Sequence, residues 1–329
     1  MGLLSSVLIS FACALFFAAG IYWLDRYEKE PRILLGVIFT WGSVFAAGVA
    51  YAANTLLTEG LYTVSGSAVY ANLISTRLLA PVLEESLKGL AVLGVFIFFY
   101  DEFDSLVDGI VYASVVALGF AATENAFYLY TRGFVLNGWP GLLSLTVTRI
   151  VLVGWQHPFY TAFIGIGLAV ARLSSRRSLR FGAVLLGWIG SVAMHMLHNS
   201  ISGLLLALGG LTLSTLFDWS GWLLMFVFVL WALSEEGSIV RAQLREEVSL
   251  GIISLAQYHT ACSTWRRDTA RLTARAVGTF ALTDRFYQVC SEIALKKQEF
   301  VTLDEHHGEA LIIEQLRTEL ARLAPSAMV

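Results

Sequence analysis

Three observations predict an all-α fold, a polytopic membrane helix bundle of about seven transmembrane helices with a C-terminal helical cytoplasmic tail. Of the 329 residues, 57% are hydrophobic and 14% are charged, whereas an ordinary soluble domain is about 25% charged. The apolar residues fall in successive runs of roughly 20, the length that crosses a bilayer. After Glu235 the composition turns charge-rich, with helical patterns such as TDRFYQVCSEIALKKQEF and HGEALIIEQLRTELARL. The chain therefore divides into a transmembrane domain, 1–234, and a cytoplasmic helical region, 235–329. A formal net charge of −3 offers no basic excess for nucleic acid. Cys13, Cys262 and Cys290 are far apart and suit neither a disulfide framework nor a thiolate metal site.

Residues 2–24 form the first span, which is not a removable signal: no basic segment precedes it and no small-residue cleavage site follows it. DRYEKEPR, 25–32, is a charged turn, and 33–53 form the second span. Residues 54–70, free of Lys and Arg, connect to the third, TRLLAPVLEESLKGLAVLGVFIFFY, 76–100. The fourth runs from Asp108, read as its N-cap, to Tyr130. A Gly/Pro-containing loop at 133–141 leads to the fifth, which ends at Arg172, Arg176, Arg177 and Arg180. The sixth covers about 181–208 and the seventh Trp219 to Leu233.

Basic residues gather on alternate connections, in DRYEKEPR, in the Arg172–Arg180 patch and in the tail. That asymmetry places the N-terminus outside and the C-terminus in the cytoplasm of a plasma membrane. His259, His306 and His307 of the tail read as solvated, and the tail itself as a small helical hairpin packed on the bundle or on a cytoplasmic partner.

The third span departs most from what a bilayer tolerates. Glu84, Glu85 and Lys88 interrupt an apolar helix, where each ionisable group costs a few kcal/mol or more. Lys88 stands at i+4 from Glu84 and i+3 from Glu85, one turn from both. One acid can be neutralised while the other stays available. An inert buried ion pair would need one acid, not two.

Three further spans carry polar groups. The fourth holds Glu124 and Asn125, with Phe120 one turn earlier; the fifth holds Gln156, His157 and Pro158; the sixth holds His195 and Asn199 on one face, with His198 beside them. Counted from the cytoplasmic ends at a 1.5 Å rise, Glu84, Glu124, His157 and His195 lie about 21–24 Å deep. Pro81 and Pro158, within a turn of Glu84 and His157, free backbone groups that only a buried or water-lined cavity satisfies. A polar, hydrated pocket at one level accounts for all of them.

Carboxylates, histidines and an asparagine in such a pocket suit attack of water on a carbonyl, which needs a base and a group to hold the oxyanion. Glu124, His157 and His195 on three helices make a zinc-type divalent metal site with an open position. There is no HExxH run, and a carboxylate base with His and Asn partners would also serve without a metal. Successive helical residues point about 100° apart, so one of Glu84 and Glu85 is base and the other support. Glu84, near the line through Arg77 and Lys88, has the better claim.

These motifs resemble the PrsW-type intramembrane proteases, related to CAAX-processing and bacteriocin-processing membrane peptidases. EExxK stands at Glu84, Glu85 and Lys88, FxxxEN at Phe120, Glu124 and Asn125, a lone histidine at His157, and HxxxN at His195 and Asn199. The DRYEKEP turn and Asp108–Gly109 fit as well, so the likeness covers about residues 20–210 and leaves the tail aside. The resemblance implies a bacterial peptidase that cleaves a single-pass membrane protein, typically an anti-sigma factor, near the outer face. It gives Glu84 the base's task and leaves open whether His198 adds a ligand; Glu85, Lys88 and Asn199 are the further catalytic candidates.

A proton-coupled transporter or a membrane scaffold would also keep acids and histidines at one depth. Transport needs a polar path to both faces, and GLAVLGVFIFFY after Lys88 and IVYASVVALGF before Glu124 are nearly apolar.

Overall fold

The computed structural model describes residues 1–303 and 309–329; His306 and His307 lie outside the described residues. Every regular element is helical, and no strand occurs among the described residues. The chain forms two compact units. One comprises Met1–Leu24, Glu30–Ala171 and Ser178–Phe228, the other Asp25–Lys29, Arg172–Arg177 and Val229–Val329.

The first unit holds α1 (Gly2–Leu24), α2 (Arg32–Ser65), α3 (Ala80–Phe98), α4 (Leu106–Tyr128), α5 (Gln156–Leu173), α6 (Arg177–Leu205) and the start of α7 (Gly210–Ser249). Among the described residues, five helical runs are long and apolar enough to cross a membrane. One of them, Leu106–Leu173, has 68 residues and contains both α4 and α5. The carboxylate helix α3 is a sixth apolar segment, interrupted by its three ionisable groups.

Several expected boundaries move. Residues 54–65, expected to be loop, continue α2 as helix to Ser65. Gly66 then closes the helix at a left-handed φ of 66°, and Ser67 caps the next by accepting from the Tyr70 N–H. The expected loop at 133–141 is mostly helical too, with a break at Asn137 and Gly138. The fifth span is two pieces, because the chain turns at 153–155 before α5 begins. Pro158 therefore sits in the first turn of α5, where no helical hydrogen bond is lost, whereas Pro81 comes just after the π-helical turn Ser75–Leu79. Ser105, not Asp108, is the N-cap of α4: its hydroxyl accepts from the Val107 and Asp108 N–H groups, while the Asp108 carboxylate accepts from the Ser105 N–H. This reciprocal capping satisfies donors that a helix start leaves open.

α4 is buried along nearly its whole length, as a helix without a polar face should be. Glycines let neighbours approach it backbone to backbone. A Cβ on Gly109 or Gly165 would overlap the carbonyl oxygen of the other, on α4 and α5; Gly42 of α2 meets the Val116 carbonyl of α4 in the same way. Such small-residue contacts drive helix packing where water contributes no hydrophobic force. Four π-helical turns interrupt the unit, at Trp41–Ala46, Ser75–Leu79, Leu129–Phe134 and Val147–Leu152; turns of this kind concentrate at functional sites.

The second unit adds α8 (Leu255–Ala261), α9 (Thr264–Ala276), α10 (Phe280–Leu303) and α11 (Glu309–Leu323). Its core joins Tyr27, Val240, Leu244, Phe286, Ile293 and Leu320. The buried Arg267 donates to the Tyr27 and Tyr287 carbonyls and to Ser291 Oγ, and Arg172 pairs with Glu299. His259 is exposed. This unit draws Val229–Val329 together with the short segments Asp25–Lys29 and Arg172–Arg177.

Candidate active site

α3 is fixed in azimuth by two indole donors, Trp41 Nε1 to the Leu87 carbonyl and Trp188 Nε1 to Ser86 Oγ, each at 3.0 Å. That orientation turns Glu84, Glu85 and Lys88 inward, and all three are buried. Lys88 donates to Glu85 Oε1 at 2.7 Å and stands 4.1 Å from the centre of the Phe120 ring. Thr161 and Ser191 donate to Glu85 Oε2 at 2.8 and 2.9 Å, and His195 Nδ1 lies 2.8 Å from Glu85 Oε1. Glu85 is thus enclosed by donors. Glu84 is held only by Asn54 Nδ2, at 3.2 Å from Oε1; its Oε2 is buried without a partner.

The two histidines complete the centre. A carboxylate paired with lysine can only accept, so His195 Nδ1 carries the proton and Nε2 is left bare. That bare nitrogen faces Glu84 Oε2 at 4.0 Å. His157 Nε2 lies 3.0 Å from Glu124 Oε2, and its Nδ1 accepts from Lys88 at 3.1 Å. Glu124 also takes Arg149 Nη2 at 2.9 Å, and Arg149 Nε donates to Asn125 Oδ1 at 2.9 Å. One connected network therefore runs from Arg149 through Glu124, His157, Lys88 and Glu85 to His195.

Among the described residues, Glu84, His157 and His195 offer ligand atoms that all lie within 4.8 Å of one another. The sequence expectation had Glu124 where Glu84 stands in this cluster; Glu124 instead supports His157 from behind. Glu84 Oε2 and His195 Nε2 suit a divalent cation, and His157 would join them on giving up the Lys88 contact at its Nδ1. Two ligands at about 2.0–2.2 Å from a tetrahedral ion lie about 3.4 Å apart, and the unpartnered Glu84 Oε2 stands 4.0 Å from the bare His195 Nε2. The Glu85 bond to His195 is the carboxylate–histidine support that fixes a metal ligand's tautomer.

Asn199 is not brought to the cluster, for its Nδ2 donates to the Thr76 carbonyl at 2.9 Å. His198 also turns away, with Nδ1 2.8 Å from Asp218 Oδ1 and 3.1 Å from the Gln156 amide. Lys88 pairs with Glu85 and not Glu84, and an amide orients Glu84 where a cation was expected. Asn54, Arg149, Thr161 and Ser191 went unnoticed in the sequence. A lone arginine in the apolar run around IVLVG was a usable signal for Arg149.

Carboxylates and imidazoles gathered at one buried point among helices of membrane-spanning length are the arrangement of an intramembrane metalloprotease. The chain belongs to the PrsW family of intramembrane metalloproteases, whose model matches residues 30–233. It is 26% identical over 210 residues to the Protease PrsW of Geobacillus kaustophilus (strain HTA426), covering 64% of this chain and 80% of that protein. It is 27% identical over 212 residues to the Protease PrsW of Bacillus subtilis (strain 168), covering 64% and 83%. No solved structure is significantly similar. Family membership decides for an enzyme over a transporter or scaffold, and makes the protein a multi-pass membrane protein acting on membrane-protein substrates.

Proposed function

We propose that Glu84, His157 and His195 form the hydrolytic centre, and that Glu84 takes the proton of the attacking water. The observation that carries this reading is the asymmetry of the adjacent acids. Glu85 is saturated by Lys88, Thr161, Ser191 and His195, whereas Glu84 keeps one oxygen without a partner beside two imidazoles. His157 and His195 would hold a divalent ion, zinc by its donor preference, and Glu84 would face the attacking water beside it. Bound there, it would polarise the scissile carbonyl and offset the negative charge that develops on its oxygen. Glu85 and Lys88 keep His195 and His157 in register, and Glu124 with Arg149 holds the far side of His157.

The substrate in this reading is a single-pass protein of the anti-sigma-factor kind, cut in the outer half of a bacterial plasma membrane, with the N-terminus of the protease outside and its tail inside, open to a cytoplasmic partner. Support comes from the Lys/Arg asymmetry of the connections and from the grouping of 25–29, 172–177 and the tail in one unit.

The test uses the full chain in liposomes with a single-span reporter peptide. The Glu84→Gln protein should fold and lose about 100-fold to 10,000-fold in turnover, the usual loss for a general base. Zinc content should fall in His157→Gln and His195→Gln proteins. Near wild-type cleavage by Glu84→Gln would overturn the assignment. Full activity in chelated, metal-free protein would remove the ion and leave Glu84 and the histidines as the whole apparatus.

A further inference from the structure

Helix α9, Thr264–Ala276, packs with one side and leaves an apolar stripe on the other. At about 100° per residue, Arg267, Ala270 and Ala274 fall together, and all three are buried in the second unit. Trp265, Thr269, Leu272 and Ala276 line the opposite side, where Trp265 is 80% and Leu272 66% exposed. Arg266 and Arg275, both exposed, flank this stripe about a quarter turn to either side. Neither has an ion-pair partner among the described residues; Arg275 rests on Phe280, 4.5 Å from the centre of its ring. The single acid of α9, Asp268, is taken by Arg26 at 2.8 Å. Tryptophan and leucine along the middle, arginines at both edges and no free acid make the pattern of a helix that lies in the surface of a bilayer.

A bilayer is within reach of this helix. Besides the Arg26–Asp268 pair, Arg267 Nη2 donates to the Tyr27 carbonyl at 3.0 Å. Residues 26 and 27 follow Leu24, the last residue of the membrane-length helix α1, by two and three positions. Each residue spans at most about 3.6 Å, so α9 is tied to the chain within about 11 Å of the end of that helix. Lipid headgroups are always present there, whereas a soluble partner has no such tether. Tryptophan is enriched at that level of a membrane, and anionic headgroups attract arginine.

We infer that α9 is an in-plane membrane helix: the stripe of Trp265, Leu272 and Ala276 enters the headgroup region of the adjoining leaflet, and Arg266 and Arg275 bind anionic phospholipid there. This lipid contact is independent of the residues assigned to the hydrolytic centre and of the substrate that it takes.

The test uses the full chain with its three cysteines replaced by alanine and a nitroxide attached at Leu272→Cys or Ala276→Cys. The protein is reconstituted in nanodiscs of phosphatidylcholine, with or without phosphatidylglycerol. Power-saturation electron paramagnetic resonance then compares collisions with oxygen, which concentrates in lipid, and with a nickel chelate, which stays in water. In the charged discs both positions should favour oxygen, and in neutral discs less so. Each arginine is worth about fivefold in the docked-to-free ratio at an anionic surface, so Arg266→Gln with Arg275→Gln should lower that ratio roughly 30-fold in charged discs. The same pair should change little in neutral discs, while Trp265→Ser should release the helix in both. All three replaced side chains are exposed, and amide exchange in α10 checks that the second unit stays folded.

Nickel access at both positions in charged discs overturns the inference. Exclusion of both reagents with dipolar broadening between labels overturns it too, because a second copy then covers the stripe. Docking that is equal in neutral and charged discs and indifferent to the two arginines overturns the role of anionic lipid.

Discussion

Glu85 accepts the Nδ1 proton of His195 at 2.8 Å, and that single bond sets the chemistry of both ring faces. It leaves Nε2 bare toward Glu84, and it ties α6 to α3 through a carboxylate already shared with Lys88. The pair is wholly buried, so its integrity is a matter of stability as well as of geometry.

Breaking the ion pair from either side should therefore be costly. Glu85→Ala and Lys88→Met should each destabilise the bundle by about 3–5 kcal/mol, the usual penalty for stranding one buried charge. The double variant should lose less than the sum, because neither charge is then left alone. Equilibrium unfolding of the full chain in mixed micelles measures all three; strict additivity would mean that the two groups do not depend on each other.

Gly165→Ala should be destabilising by about 1–3 kcal/mol, as overpacking at a close contact is. Its new methyl group would meet the Gly109 carbonyl oxygen. Gly94 on α3 has nothing within 4 Å of the place a methyl group would occupy, and Gly94→Ala should be neutral or slightly stabilising in the same unfolding assay. Equal effects at the two positions would contradict the close α4–α5 contact.

Orientation is open to a labelling experiment. In otherwise cysteine-free protein, Ser67→Cys at the turn after α2 should react with an impermeant maleimide on intact cells, and Arg176→Cys should react only after lysis. Reversed labelling would place the Ser67 turn and the hydrolytic centre near the cytoplasmic face.

Lys29 gives the second unit a pH dependence. Burial, helped by Arg271, Arg26 and Arg267 and opposed by Asp25, lowers its ammonium from 10.5 to about 8. The folded protein holds this proton less tightly than the unfolded chain, so below pH 8 the penalty of burying the charge is fully present. Between about pH 8 and 10.5 the penalty disappears and stability should rise. Hydrogen exchange in α10, compared between wild type and Lys29→Met across pH 7.5–10 in the full chain, should show this rise in wild type only.

The helices and the principal residues of the candidate site were legible because each broke a simple pattern. Glu84, Glu85, Lys88, His157 and His195 stand out in apolar runs, where an ionisable group needs a reason. Which acid takes Lys88 was not legible, since i+3 and i+4 neighbours are equally within reach on a helix. Helix α6 gave the same difficulty. Asn199 shares a face with His195, yet one helical turn is enough to carry it to the Thr76 carbonyl in the π turn Ser75–Leu79. Asn54, Thr161 and Ser191 are small polar residues of a kind common in membrane helices, and only the fold shows that they converge on two neighbouring carboxylates. Residues 54–65 looked like a connection because they lack a long apolar run, but α2 extends through them and so delivers Asn54 to Glu84.

The glycine contact between α4 and α5 also restricts how the enzyme can open. Where two backbones touch without side chains between them, there is nothing to re-pack, and sliding by one turn would drive Ala113 or Ala169 into the gap that the glycines leave. Glu124 and His157, carried on these two helices, must therefore travel as one rigid piece. In the proposed reading, a gate that admits an extended peptide to Glu84 lies along another seam of the bundle than the α4–α5 crossing.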